Sequence, residues 1–295
     1  MARVDVLGLT LNNPVIVGSG LLTDQERNIR NLLAGGAGAV VTKTIHPNPP
    51  KGLNERIIRF ETGMINSTTY SKRSVEFWMG MLQGFADEEL PVIASLHADS
   101  PEELGALAER VALTGCRALE LGISCLNEED GLEDTPDRVR AYVAEVRGRT
   151  SLPFSVKLAA GEGLVERATA AADAGADAIT LSDTLPALVV SPTSGEPELG
   201  GVFGYSGPGI KPLVLAAIWR LRRLGFTLPI LGSGGAMTGR DVMEFLGVGA
   251  SAVQVYTALH TNMHETLERI VRETEELGAV SDRTDQQALP RLAAS

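Results

Sequence analysis

The sequence predicts an α/β protein, a (β/α)8 or TIM barrel over residues 1–280, followed by a polar C-terminal tail at 281–295. Three observations support this fold class. The 295-residue chain alternates short apolar, β-branched runs with longer amphipathic stretches, which is typical of parallel strands buried on both faces. Gly-Ala steps recur just before strands. The length suits one barrel of about 250 residues with insertions.

Eight strands and eight helices are expected to follow one another along the chain. The strands are expected at 15–19, 39–44, 92–97, 118–123, 154–158, 178–182, 229–232 and 252–255. The helices are expected at 24–33, 74–85, 101–114, 135–148, 164–174, 210–224, 238–246 and 262–277. Ser100-Pro101 and Thr135-Pro136 mark helix starts, because a hydroxyl caps the first turn and proline is tolerated there. Insertions are expected after strands 2 and 6, at 46–72 and 185–208, where barrel active sites are built.

The composition excludes several classes of function. The net charge is −11, and such an acidic surface repels nucleic acid and anionic lipid. The longest apolar runs are strand-sized, so none is expected to span a membrane. Two cysteines, Cys116 and Cys125, do not make a disulfide framework. We therefore expect a cytoplasmic protein with reduced thiols that binds neither nucleic acid nor membranes, although a local basic pocket remains compatible with the charge.

Two glycine-rich segments near the C-terminus predict a phosphate site. Gly234 and Gly235 follow the seventh predicted strand, and the eighth strand ends at Tyr256 and Thr257. Glycines let backbone N–H groups approach an anion, and the loops after strands 7 and 8 are the usual phosphate site of a barrel. A plain Gly-Gly turn is the alternative, but two such loops at these barrel positions favour a phosphate site.

Lys43 and Lys157 lie at the ends of two otherwise apolar predicted strands. A buried lysine is costly unless it faces an anionic partner, and the alternative is that the side chain extends to solvent. Two lysines at equivalent strand ends favour a pocket over solvent. Lysines near a flavin, for example, would stabilise the anion that forms when it is reduced.

Cys125 follows the fourth predicted strand in a loop at the barrel mouth, where a thiol can move protons. Cys116 lies at a helix-to-strand junction and fits a buried structural role. The four histidines show no paired metal spacing, so no metal site is predicted. His97 ends a strand, and lining the pocket or packing in the core are equally compatible with its position.

In this order, the motifs resemble the dihydroorotate dehydrogenase family, which includes the catalytic barrel of dihydropyrimidine dehydrogenases. The matching stretches are 13–20, 42–44, 63–66, Ile123-Ser124-Cys125 with Asn127, 156–158, 206–212, and 234–235 through 249–255. The resemblance covers almost the whole barrel and implies an FMN cofactor, a small-molecule substrate and a homodimer. It also implies that Cys125 moves a proton at one substrate carbon while FMN N5 moves a hydride at its neighbour, with cysteine pointing to the soluble class of the family.

The resemblance also implies the roles of individual residues. The isoalloxazine would be surrounded by Ser19, Gly20, Lys43, Ser95 and Lys157. The ribityl phosphate would be held by Ser206, Gly207, Gly234, Gly235, Tyr256 and Thr257. The substrate would be bound by Asn66, Asn127, Asp183, Thr184 and Arg56. Lys43 would serve catalysis together with Cys125.

Five departures from the family pattern predict an altered substrate. They are Gly122 and Asp183 where the family has asparagine, Leu126 in place of proline, Tyr256 in place of glycine, and the loop 67–72. An ionised carboxylate only accepts hydrogen bonds, whereas an asparagine also donates. Asp183 facing a pyrimidine amide would therefore leave acceptors unpaired, at a cost of roughly 1–3 kcal/mol. The first expectation is an FMN-dependent oxidoreductase that acts on a C–C or C=C bond of a substrate other than dihydroorotate.

Three alternatives stay open on the sequence alone. The chain could be a true dihydroorotate dehydrogenase of pyrimidine biosynthesis, a dihydropyrimidine dehydrogenase-like reductase subunit, or a barrel that binds FMN or phosphate without redox chemistry. Retention of Cys125 and both lysines favours the redox enzymes. The electron acceptor is expected to be a partner protein or a soluble molecule.

Overall fold

A computed structural model describes residues 3–49, 55–123, 127 and 134–287. Eight parallel strands close into a barrel, which confirms the predicted fold class. The barrel strands are β3 Val15–Val17, β4 Ala39–Val41, β7 Val92–Leu96, β8 Leu119–Gly122, β9 Phe154–Leu158, β10 Ala178–Leu181, β13 Ile230–Ser233 and β14 Ala252–Val255. The helices are α1 Glu26–Ala34, α2 Val75–Asp87, α3 Pro101–Ala112, α4 Pro136–Arg149, α5 Leu164–Asp173, α6 Lys211–Arg223, α7 Gly239–Gly247 and α8 Met263–Gln287.

The two predicted insertions meet in one antiparallel sheet beside the barrel mouth. The strands β5 Ile57–Phe60 and β6 Gly63–Asn66 come from the first insertion, and β11 Leu185–Ala187 and β12 Phe203–Ser206 come from the second. The order is β11-β12-β6-β5, with Gly204 paired to Asn66. This sheet carries substrate-loop residues to the C-terminal ends of the barrel strands, and the sequence analysis did not predict it.

A hairpin of β1 Val4–Val6 and β2 Leu9–Leu11 precedes the barrel. Its apolar side chains form a core cluster with residues inside the barrel, including Ile16 and Ile93. Burying these side chains contributes about 25 cal/mol per Å² of apolar surface removed from water. The hairpin therefore covers the interior of the barrel away from the predicted active site.

The helix starts follow the caps that the sequence predicts. The Ser100 side chain accepts from Glu103 N–H, and that of Thr135 accepts from Arg138 N–H. Each such cap stabilises its helix by about 1 kcal/mol. These capping side chains fix the residue at which each of the two helices begins.

The last helix is longer than predicted. It begins at Met263 and continues to Gln287, whereas the sequence analysis ended it at 277 and assigned 281–295 to a polar tail. Gly278 costs a helix only about 1 kcal/mol, and no proline follows until Pro290, so neither residue ends it earlier. In the described part of the chain, no helix is both long and apolar enough to cross a membrane.

Candidate active site

A cavity opens at the C-terminal mouth of the barrel and encloses about 1240 Å³, including space open to solvent. Its walls include the predicted residues Ser19, Gly20, Lys43, Ser95, Lys157, Ser206, Gly234, Gly235, Tyr256, Thr257, Asn66, Asn127, Asp183 and Thr184. Residues far apart in sequence therefore converge on one site.

The glycine-rich end of β13 has the conformation of an anion cradle. Gly234 and Gly235 have φ values of 121° and 92°, a region that favours glycine. A Cβ on Gly235 would lie 2.6 Å from the carbonyl oxygen of Gly207. Opposite this loop, Thr257 Oγ1 donates to Ser206 Oγ at 3.0 Å. The backbone N–H groups and hydroxyls here suit a phosphate, so the residues fit the phosphorylated group that the sequence predicts.

The Asp241 carboxylate stabilises the loop that follows Gly234 and Gly235. Its carboxylate accepts from Met237 N–H and from Thr238 N–H, each at 2.9 Å, and it is bonded to Lys211. Burial alone would raise the pKa of Asp241, but hydrogen bonds from Lys211, Met237 and Thr238 outweigh it and hold the pKa below its usual range. The charged carboxylate therefore stabilises the turn that leads from the glycines into α7.

We expect Asp241→Ala to lower the free energy of unfolding by roughly 1–3 kcal/mol, because buried N–H donors lose their acceptor. The depressed pKa makes this stabilisation complete above the pKa of an unfolded aspartate, about 4. It is lost as the pH falls through the folded pKa, so the penalty shrinks in acid. Urea unfolding over a pH series measures it. The control Arg240→Ala removes an exposed ion pair to Glu244 and should change stability by less than about 0.5 kcal/mol. Equal effects of both variants would contradict the assignment.

Lys43 and Lys157 both line the cavity, and Lys43 is only 5% exposed. The Lys157 ammonium lies 3.9 Å from Glu120 Oε1 and 3.8 Å from Asp183 Oδ1. Glu120 is completely buried and accepts from Thr180 Oγ1 at 2.8 Å. The structure therefore favours the pocket over extension to solvent and supplies the carboxylates that balance Lys157.

Gln254 connects this ion pair to the cavity. Its Nε2 donates to Glu120 Oε2 at 2.5 Å. Its Oε1 is buried and has no hydrogen-bond partner among the described residues, although Gln254 belongs to the cavity wall. A buried acceptor left unpaired is costly, so this amide oxygen fits a ligand that donates an N–H group. Gln254 lies in the matching stretch 249–255 but is not among the predicted site residues.

Three hydroxyls connect the ends of neighbouring strands β3, β4 and β7. Ser19 Oγ lies 3.2 Å from Thr44 Oγ1, which lies 2.9 Å from Ser95 Oγ. All three residues line the cavity. Ser19 and Ser95 were predicted, and Thr44 was missed because a threonine at a strand end carries no distinctive sequence signal.

Tyr256 replaces the family's glycine and is accommodated by Gly20. A Cβ on Gly20 would lie 2.1 Å from the Tyr256 ring, so any larger residue there would collide with it. The Tyr256 hydroxyl accepts from Leu22 N–H at 3.2 Å. Burial raises the pKa of Tyr256 to about 12. The ring is therefore a neutral, packed part of the wall.

The side-chain amides of Asn66 and Asn127 form hydrogen bonds with residues around the mouth of the cavity. Asn66 Oδ1 accepts from Thr68 N–H at 3.2 Å and from Thr68 Oγ1 at 2.7 Å. Asn127 Nδ2 donates to the Thr68 carbonyl at 2.6 Å, and Gly204 N–H donates to Asn127 Oδ1 at 3.0 Å. Both asparagines line the cavity, and both also form hydrogen bonds to Gly204 of the insertion sheet.

Asp183 does not present an uncompensated carboxylate. Its Oδ1 accepts from Thr184 N–H at 2.7 Å and faces the Lys157 ammonium. The expectation of an altered substrate assumed that Asp183 opposes the substrate alone. A carboxylate that already has a backbone donor and a neighbouring cation does not require the ligand to supply a hydrogen-bond donor or a positive charge.

Two predicted site residues, Arg56 and Gly207, are not among the residues of the cavity wall. Arg56 donates to the Glu198 carbonyl at 2.7 Å and, among the described residues, is not part of the wall, so its contact with the substrate stays a prediction. Gly207 is also outside the wall and supports Gly235 through its carbonyl oxygen. Cys125 lies outside the described residues.

An aromatic stack that was not predicted forms another part of the site. Tyr70 packs on His97 with ring centroids 4.6 Å apart, and His46 packs on Tyr70 at 4.7 Å. Tyr70 and His97 line the cavity, which answers the question that the sequence left open for His97. His46 Nε2 lies 3.2 Å from Asp99. The ring neighbours come from three separate segments, so spacing could not reveal them.

Comparison with known proteins agrees with this geometry. The dihydroorotate dehydrogenase family model matches residues 1–277. A relative from Desulforudis audaxviator, named dihydroorotate dehydrogenase B (NAD(+)), catalytic subunit, is 38% identical over 263 residues, covering 86% of this chain and 85% of its own. A relative of the same name from Pyrococcus furiosus is 36% identical, covering 88% of this chain and 87% of its own.

A solved structure supports the fold independently. The crystal structure of DHODH from Eimeria tenella in complex with ferulenol aligns with a TM-score of 0.80 at 20% identity. The alignment covers 95% of this chain and 85% of that one. At this level of identity the likeness concerns the barrel alone.

The fold and the site define a (β/α)8-barrel enzyme whose active site is built at the C-terminal ends of its strands. The chain belongs to the dihydroorotate dehydrogenase family. It is therefore an oxidoreductase that acts on a CH–CH bond. The relatives do not support the predicted departure from dihydroorotate and favour the alternative, a true dihydroorotate dehydrogenase.

Proposed function

We propose that the chain oxidises dihydroorotate to orotate with FMN as its cofactor, as the catalytic subunit of a two-component enzyme. One observation carries the proposal: a single cavity joins the glycine cradle at Gly234 and Gly235 to the buried Lys43 and the partly buried Lys157. A flavin mononucleotide needs a phosphate cradle and, at its ring, cationic groups. When bound, FMN would supply a two-electron acceptor for the hydride that leaves the substrate.

The chain's own residues have separable tasks in this proposal. The cradle holds the phosphate through backbone N–H groups, and Lys43 and Lys157 place positive charge beside the ring. Glu120 and Asp183 lie beside Lys157 and orient its ammonium. Lys43, buried at the mouth, also contributes charge toward the carboxylate of the substrate. These assignments follow from placement on strand ends that face one cavity.

A base must remove the proton that leaves the substrate carbon next to the departing hydride. Cys125 has this role in the proposal, because a thiolate near a barrel mouth can act as a general base. It lies two positions beyond Ile123, which directly follows β8. The proton therefore passes to the thiolate, and the two electrons leave with the hydride.

The departures at Asp183 and Gly122 are compatible with dihydroorotate once their surroundings are known. Asp183 is engaged by Thr184 and Lys157. A Cβ on Gly122 would meet only Leu96 O, at 3.8 Å, so glycine there leaves space without disturbing the backbone. Neither residue therefore presents a polar group that repels the pyrimidine.

The electron acceptor in this proposal is a partner subunit. The curated relatives from Desulforudis audaxviator and Pyrococcus furiosus are named as catalytic subunits of an NAD(+)-dependent enzyme. A catalytic subunit implies a second polypeptide that passes electrons onward. We further propose that this chain forms a homodimer and that the partner subunit binds to this dimer.

Steady-state turnover with a soluble dye acceptor separates the proposal from its alternatives. We expect the FMN-loaded protein to oxidise dihydroorotate and to be much less active on dihydrouracil, which lacks the carboxylate. Faster turnover of dihydrouracil would favour a dihydropyrimidine dehydrogenase-like reductase. Absence of turnover with either compound would favour a different substrate or a non-redox barrel, and bleaching by dithionite would then show whether a redox-active flavin is bound.

A further inference from the structure

We propose that His97 determines substrate specificity by accepting a hydrogen bond from a ring N–H of the pyrimidine through its Nε2. In this role His97 replaces the asparagine side chain that the family pattern has at position 122 and that Gly122 lacks. The inference rests on the proposed function, because it assumes a dihydropyrimidine substrate with ring N–H groups.

The hydrogen bonds of His97 define its tautomer. The residue directly follows β7, is 1% exposed and forms part of the cavity wall. Its Nδ1 lies 2.9 Å from the carbonyl oxygen of Gly122. A carbonyl oxygen only accepts, so Nδ1 carries the proton. The Nε2 atom of the neutral ring then has a lone pair, and none of the described residues donates to it.

The environment keeps this imidazole uncharged. Burial lowers the pKa of His97 to about 4, and the bond to Gly122 only partly opposes this effect. Of the charged groups that face the ring, His46 and Arg138 lower the pKa further, whereas Asp99 raises it. The neutral ring is therefore an acceptor throughout the neutral pH range.

The ring is also held rigidly. Tyr70 stacks on it at 4.6 Å with an interplanar angle of 13°, and His46 lies at 5.5 Å. His46 is in turn bonded to Asp99. A polar atom fixed before the ligand arrives binds with a smaller loss of conformational entropy. His97 therefore has the fixed orientation that a specificity contact requires.

The space beside Gly122 points to the same role. Among the described residues, a Cβ there would meet only Leu96 O within 4 Å, and Gly122 belongs to the cavity wall. Asn66 and Asn127, the other amides of the family pattern, are engaged with Thr68 and Gly204. His97 belongs to the cavity wall, and the contacts of the two asparagines leave its Nε2 for the substrate.

A hydrogen-bond acceptor at this place favours a ligand whose ring nitrogen carries a hydrogen over one whose ring nitrogen is methylated. We expect the wild-type holoenzyme to bind orotate about 10- to 100-fold more tightly than one of its two N-methylated forms, since a buried acceptor would lose its donor. Perturbation of the flavin absorbance by each compound gives the dissociation constants. Equal affinity for orotate and for both N-methylated orotates would overturn the proposal without any variant.

Substitution tests the residue itself. His97→Ala should weaken orotate binding about 10-fold or more, raise KM more than it lowers kcat, and reduce the discrimination against the methylated form. Adding Gly122→Asn to His97→Ala should restore part of the affinity, which a purely structural role would not allow. The control His264→Ala changes a histidine of α8 outside the cavity wall and should leave binding unchanged.

Two further measurements complete the test: the pH dependence of orotate affinity and the binding of orotate by the wild-type protein. Because the ring is neutral, His97 adds no change in orotate affinity through the neutral range; a loss of affinity on raising the pH that disappears in His97→Ala would overturn the acceptor role. If wild type binds orotate and His97→Ala binds it equally well, the inference alone fails. If wild type binds no orotate, the proposed function fails and the inference fails with it.

Discussion

Cys125→Ala is expected to slow reduction of the bound flavin by dihydroorotate about 10²- to 10⁴-fold, the usual contribution of a positioned general base. The FMN content should stay that of wild type, because the predicted cofactor contacts come from other strand ends. Rapid mixing under anaerobic conditions follows the loss of flavin absorbance directly. Cys125→Ser should be intermediate, because a hydroxyl retains a position for the proton but is a weaker acid than a thiol.

Cys116→Ala is the matched control, because it removes the other thiol of the chain. Cys116 is buried, its Sγ donates to the Ala118 carbonyl, and burial raises the pKa of its thiol. It should therefore affect stability slightly and leave flavin reduction unchanged. Reduction of the Cys125→Ala flavin at the wild-type rate would remove Cys125 from the mechanism.

Gly235→Ala is expected to weaken FMN binding about 10- to 100-fold, as loss of one hydrogen bond to a charged phosphate would. The new Cβ would lie 2.6 Å from Gly207 O and 2.8 Å from Lys211 Cβ, so the cradle must move. Its φ of 92° adds a backbone penalty of about 1 kcal/mol or more. Titration of the apoprotein with FMN, followed by fluorescence quenching, gives the dissociation constant.

Gly225→Ala separates the backbone penalty from the loss of the cradle. Gly225 has a similar φ of 85°, and a Cβ there would meet nothing within 4 Å. It should lower the thermal midpoint to an extent set by the backbone penalty alone, while FMN binding stays that of wild type. Equal losses of FMN affinity in both variants would show that Gly235 acts through overall stability and not through the phosphate.

The barrel was predictable because its strands are continuous apolar runs between amphipathic helices, a pattern that depends on local sequence. The β1–β2 hairpin and the insertion sheet were missed. Their strands have only three or four residues, and the insertion sheet also depends on the distant pairing of Gly204 with Asn66. Short strands carry too few alternating positions for the pattern to appear.

In the site, the glycines and lysines were predictable because strand ends in a barrel must meet at one mouth. Asp183 was misjudged for a physical reason: its effect depends on Lys157 and Thr184, whose positions beside it the sequence does not give. The asparagines Asn66 and Asn127 likewise depend on distant partners. A polar substitution can be interpreted only after its neighbours are known, and this is why the altered substrate was not supported.

An anaerobic titration of the FMN-loaded protein with dihydroorotate tests the central claim most directly. The flavin absorbance is expected to bleach in proportion to the dihydroorotate added, and one orotate is expected to form for each flavin reduced. A flavin that remains oxidised in excess dihydroorotate, yet bleaches normally with dithionite, would contradict the proposed oxidation of dihydroorotate.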